Sequence, residues 1–144
     1  MGGEEPVTEV LTAAITVVLG LVVLVLGQIA QRFFIEPIQE QKRVIGEIAY
    51  AVFYYANVGS MSPPDVREEA QRTLRKLSGQ LQATLWAVPY YGLFESRGWV
   101  EKRENVIAAS AGLVGWSNSV VMKDSPHASR HRSAIIKALS LPPS

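Results

Sequence analysis

Residues 10–30 read VLTAAITVVLGLVVLVLGQIA, an unbroken uncharged run in which only Thr12, Thr16 and Gln28 are polar. At ~1.5 Å of rise per residue, a helix of this run reaches about 30 Å, the hydrocarbon thickness of a bilayer. A helix bonds its own backbone groups, so lipid leaves none of them unsatisfied. The run therefore predicts a transmembrane helix over residues 10–33, after a short tail over residues 1–9 and before a helical domain over residues 34–144. A cleaved signal peptide fits poorly, because Glu4, Glu5 and Glu9 precede the run with no Lys or Arg. A buried core helix also fits poorly, since a core of this size has little use for so long an all-round apolar segment.

Charge sets the expected orientation. All 14 Lys and Arg follow the run, and Arg32, Lys42 and Arg43 come soon after it. The positive-inside bias then places the N-terminal tail on the translocated side and the rest in the cytoplasm, which in a bacterium means the inner membrane. Phe33 and Phe34 suit the interfacial layer, and Arg32 can snorkel beside them, which makes these three candidate lipid contacts. The domain after the run has a mild, dispersed positive surplus. That suits anionic headgroups and argues against nucleic acid. With no Cys, neither a disulfide nor a thiolate metal site is possible.

The domain reads as successive helices. Pro37 either kinks a continuous helix or opens a new one. Ile38, Ile45, Ile48, Val52 and Tyr55 recur at heptad spacing, with Gln41 as the polar exception, and Gly59 suits a left-handed cap after a helix over residues 37–56. Ser62 as cap, Pro63, Pro64 and Asp65 announce the next start. Ala70, Leu74, Leu77, Leu81, Leu85 and Val88 mark its inner face, the pair Glu68 and Arg72 its outer one, and Pro89 its end. A short turn over residues 90–96 follows, broken by Gly98. A third long helix over residues 103–122 is rich in small residues, and Ala108, Gly112, Gly115 and Ser119 would let another backbone approach closely. Residues 105–122 are also uncharged, so a second span competes with a buried helix; the serines and asparagines favour burial. Ser125 and Pro126 open a last helix that stops before Pro142. The expected fold is all-α: a single N-terminal transmembrane helix followed by a small cytoplasmic bundle of about four helices.

The sequence offers little for chemistry. His127 and His131 stand i,i+4, but Arg130 and Arg132 beside them repel cations and no third ligand is evident. Glu36, Glu40 and Glu47 alternate with Lys42 and Arg43 as a solvated face does. GWSNS, at residues 115–119, lacks the second glycine and the strand-to-helix turn of a nucleophile elbow. No phosphate loop or dinucleotide fingerprint occurs. The expectation is a protein without enzymatic activity, metal or cofactor.

Interaction patterns are richer. Tyr50, Phe53, Tyr54 and Tyr55 span over half a helix circumference, which fits either a candidate interaction surface or a central bundle helix covered on several sides by its own chain. Trp86, Tyr90, Tyr91 and Trp99 either extend it or fill the core. Ala13, Gly20 and Gly27 repeat by seven along the membrane run, a seam on which two membrane helices can pack. Arg130, Arg132 and Lys137 beside Ile135, Ile136 and Leu139 make a short basic amphipathic element, a candidate lipid contact whose stronger alternative is a helix that closes the bundle through Ile135 and Leu139. The expected partners are membrane lipids and a second copy or another membrane protein. The expected role is an anchored interaction protein. The alternative is an oligomeric effector that permeabilises the bilayer on a signal, against which the thin polarity of the run stands.

Overall fold

In a computed structural model, which describes residues 5–59, 61–122 and 127–142, every regular element among the described residues is helical. The chain divides into two compact units between Glu36 and Pro37.

The first unit is α1, Glu5–Ala30, followed by a short π-helical stretch, Gln31–Ile35. None of the apolar window of α1 is buried, and the helix is long and apolar enough to cross a membrane. A core helix would be covered by its own chain; Leu11, Leu19, Leu24 and Leu26 are each more than half exposed. Its threonines are satisfied from within: Thr12 donates to the Thr8 carbonyl at 2.8 Å and Thr16 to the Thr12 carbonyl at 2.9 Å. The π stretch ends where the Glu36 N–H reaches back to the Gln31 carbonyl. Pro37 accounts for it. In a regular helix its ring would meet the carbonyl four residues earlier, and a widened turn removes that clash.

The second unit is a helical bundle. Its first helix, α2, covers Glu36–Tyr54 and buries Gln41, Val44, Ile48, Ala51 and Val52 at helical spacing. Its end departs from the expected glycine cap. Among the described residues the backbone is left-handed only at Tyr90, Gly98 and Ser140, and not at Gly59. Turn bonds close the helix instead, and Arg132 donates to the Ala56 carbonyl at 3.0 Å. The next helix, α3, is Pro64–Ala87, with Pro63 rather than Ser62 at its N-cap. The Ser62 hydroxyl accepts from the Gly59 N–H at 3.1 Å and so holds the loop, not the helix. Val88 before Pro89 is extended, as the proline ring requires, and Tyr90 turns left-handed into α4, Tyr91–Ser96.

The end of α4 shows why Gly98 breaks it. The Trp99 N–H reaches the Phe94 carbonyl and the Gly98 N–H the Glu95 carbonyl, both at 3.0 Å, with Gly98 at φ +69°. This is a Schellman cap, and the Phe94 and Trp99 rings stack at 5.6 Å across it. The same cap closes α6, Ala128–Ala138, where Ser140 holds the left-handed position at φ 50°. The expected start of α6 at Ser125 and Pro126 lies outside the described residues.

Between them α5, Arg103–Val121, runs through the core. Val106, Ala109, Leu113, Trp116 and Val120 are buried, so the uncharged stretch 105–122 packs into the bundle along one face, while Ile107, Val114 and Val121 stay exposed on the opposite one. Its small residues seat two neighbours. On one side the Ser78 hydroxyl donates to the Ser110 carbonyl of α5 at 3.1 Å, joining α3 to it. On the other, a Cβ at Gly112 would lie 2.8 Å from Ile135, and one at Gly115 2.4 Å from the His131 ring. Glycine at both positions lets α6 come close. Ala108, expected in this seam, is exposed, and the close approach of α6 falls at Gly112 and Gly115.

One polar side chain ties the bundle together. Gln41 is fully buried. Its Nε2 donates to Thr84 Oγ1 at 3.0 Å and to Tyr91 Oη at 2.8 Å, and its Oε1 accepts from the Glu101 N–H at 2.8 Å. Tyr91 in turn donates to the Glu101 carbonyl at 2.6 Å. The first turns of α2 thereby hold α3, α4 and the approach to α5. Replacing Gln41 by Leu strands the Glu101 N–H, which costs about 2 kcal/mol. Replacing Ser140 by Gly relieves a left-handed L-residue and adds about 1 kcal/mol. Urea unfolding of the full chain in mild detergent, followed by circular dichroism, should move in these opposite directions. An unchanged midpoint for Gln41→Leu would contradict the role given to the network.

Candidate interaction surface

The aromatic run of α2 splits by helical phase. Tyr55 lies seven residues beyond Ile48, on the buried stripe, and is 5 % exposed. Its hydroxyl donates to Glu69 at 3.1 Å and lies 3.4 Å from Thr73, which fastens it to α3. It therefore leaves the set of candidate contacts and belongs to the core. Tyr50, Phe53 and Tyr54 stay outside, at 66 %, 45 % and 60 % exposed. Tyr50 and Tyr54, one turn apart, stack at 5.4 Å with rings 19° from parallel, and Tyr54 meets Tyr55 edge-on at 4.9 Å. The stack fixes an outward aromatic plate on a rigid helix.

Charges border the plate. Arg43 bridges Glu40 and Glu47 at 2.6 Å each. The hydrogen bond from Arg43 holds the Glu40 carboxyl below its usual range, but exposed pairs of this kind add little stability. Between α2 and α3 a groove of about 220 Å³ opens beside the plate, lined by Glu47, Tyr50, Tyr55, Thr73, Lys76 and Gln80 among others. Gln80 Oε1 is buried with no hydrogen-bond partner among the described residues. The groove offers two charges, hydroxyls and an amide.

The other predicted contacts scatter. Ala13, Gly20 and Gly27 lie on one stripe of α1, exposed, and open space surrounds both glycines. Arg32 and Phe33 are exposed and Phe34 is half-buried. In α6, Arg130 and Lys137 face outward, whereas Arg132 is half-buried and committed to Ala56. The three cations thus do not make one free basic face. His131 packs against Gly115 and His127 is exposed. Among the described residues no group of three His, Asp or Glu could hold a metal ion.

Sequence reasoning missed the Gln41 network and left the second aromatic group undivided. Tyr91 is core, 4 % exposed, while Trp86, Tyr90 and Trp99 are 87 %, 78 % and 51 % exposed. The available signal was Gly98, whose left-handed cap turns Trp99 back onto Phe94.

No protein-family model, curated protein or solved structure matches this chain.

Two buried phenols give the domain a pH response. Burial raises Tyr91, opposed by the Gln41 hydrogen bond, and burial likewise raises Tyr55. A phenol raised in the folded state stabilises fully below its unfolded pKa of about 10, and this contribution is lost as pH climbs through the folded value. Stability should hold up to about pH 10 and then fall. Tyr91→Phe should flatten that fall, as read by urea midpoints across the alkaline range; an identical slope would remove Tyr91 as its source.

Proposed function

We propose that this chain is a membrane-anchored, non-enzymatic helical interaction protein. In this reading α1 spans the bilayer with its N-terminus translocated, and the domain after it lies in the cytoplasm, where it assembles with a second copy or docks a protein partner. The observation that carries the reading is the exposed plate of Tyr50, Phe53 and Tyr54, in which Tyr50 and Tyr54 stack. Aromatics of this kind dominate interface energetics, because they join a large apolar area to a hydrogen-bonding tip. The Ala13, Gly20 and Gly27 stripe supports self-association within the membrane, since small residues let helix backbones meet. The internal bonding of Thr12 and Thr16 weighs against the alternative of a permeabilising effector, because those hydroxyls are already used by their own helix.

Two experiments test this. In a chain without native Cys, Gly2→Cys should react with an impermeant thiol reagent on intact cells and Ser144→Cys should not. The reverse labelling would overturn the orientation. For the surface, Tyr50→Ala with Tyr54→Ala should weaken assembly or partner capture by roughly tenfold or more while the helical signal stays unchanged. Mass photometry in mild detergent and affinity capture supply the readouts. A wild-type chain that is monomeric and captures nothing would leave the plate without a role.

A further inference from the structure

The corner running from the end of α3 through α4 to the approach of α5 exposes Trp86, Tyr90, Leu93 and Trp99, each more than half. We propose that this corner rests in the interfacial layer of a lipid bilayer, the same bilayer that α1 crosses, with Trp86, Tyr90 and Trp99 as its contacts. The inference rests on reading α1 as a membrane span.

The tether comes first. Gln41 lies seven residues past Phe34 in the chain. Even a fully extended path of that length covers no more than about 25 Å, and a helical one about 10 Å. Gln41 holds Thr84, Tyr91 and Glu101 by direct hydrogen bonds. Each exposed apolar residue of the corner is at most two positions along the chain from one of those three. The corner is therefore kept within a short reach of the predicted membrane surface, whatever the path between.

Its chemistry matches that place. Trp and Tyr are the side chains enriched at membrane–water interfaces, where the ring lies among acyl-chain ends and the N–H or O–H among headgroups. The acidic neighbours are spoken for. Glu95 accepts from the Arg103 N–H at 2.9 Å, and Glu101 from the Lys102 N–H at 3.1 Å and from Asn105 at 2.7 Å. Glu104 sits in the first turn of α5, where the helix dipole favours it. Arg97 and Lys102 are exposed and, among the described residues, in no ion pair. They are left to meet lipid phosphates. A protein partner remains the competing occupant, and the test separates the two.

The full chain is reconstituted into phosphatidylcholine–phosphatidylglycerol vesicles whose acyl chains carry bromine, a contact quencher of indole emission. Trp116 is buried at 2 % exposure, so Trp86 and Trp99, among the chain's three tryptophans, report contact. Brominated vesicles should remove roughly half of the emission or more relative to unbrominated ones, and iodide in the water should remove little. Trp86→Phe with Trp99→Phe should abolish the bromine effect, and Arg97→Gln with Lys102→Gln should reduce it. Anchoring is read separately, by flotation after an alkaline carbonate wash. A chain that stays on the vesicles while iodide, and not bromine, reaches its indoles overturns the contact and leaves the anchor standing. A chain stripped by carbonate overturns both. Indoles shielded from both quenchers, with shielding lost on dilution into excess lipid, assign the corner to a second copy and overturn the lipid contact.

Discussion

The bundle depends on how one buried amide is satisfied. Gln41 sits in the apolar stripe of α2, where an unpaired amide would be costly. Its Nε2 and Oε1 are both engaged, and the ring of bonds closes through Tyr91, which returns to the Glu101 carbonyl. Glu101 thus has its N–H and its carbonyl fixed by the same pair of side chains. A loop held at both backbone groups has little freedom, and α5 begins two residues later at Arg103. The network sets the start of α5 and with it the level at which Gly112 and Gly115 meet α6.

That close meeting has a consequence for α2. Because Gly112 and Gly115 admit Ile135 and His131, α6 lies near enough for Arg132 to reach the Ala56 carbonyl. The cation at this helix end stabilises it both by hydrogen bond and by dipole. A residue distant in sequence therefore adds to the local turn bonds that close this helix. The same geometry removes Arg132 from the basic face that its spacing with Arg130 and Lys137 suggests.

What the sequence made legible follows from range. Helix starts and stops written by prolines, as at Pro64 and Pro89, are local and were readable. So was the all-round apolar α1, whose composition needs no partner to interpret. Gly59 and Ser62 misled because they bond to each other across a short loop instead of capping the helices on either side. Gln41 appeared only as a break in the stripe, since its partners lie more than forty residues away. Tyr55 was more accessible: seven residues from Ile48, it carried the core period already, but membership of an aromatic cluster masked its phase.

Three of the exposed apolar surfaces among the described residues differ in chemistry, and the difference sorts them. The surface of α1 over residues 10–30 is almost purely aliphatic, with only Thr12, Thr16 and Gln28 polar, so hydrocarbon suits nearly all of it. The corner at α4 is built of Trp and Tyr, whose polar tips would be stranded in hydrocarbon and whose rings are poorly placed in water. The plate on α2 is flanked by Arg43, Glu47 and the groove-lining Lys76, which keep their hydration only at an aqueous or protein boundary. Burying that plate in lipid would strip water from a charged triad and cost more than the two tyrosine rings return. Burying it against protein leaves those charges at a solvated rim, the arrangement in which an aromatic core contributes most to binding.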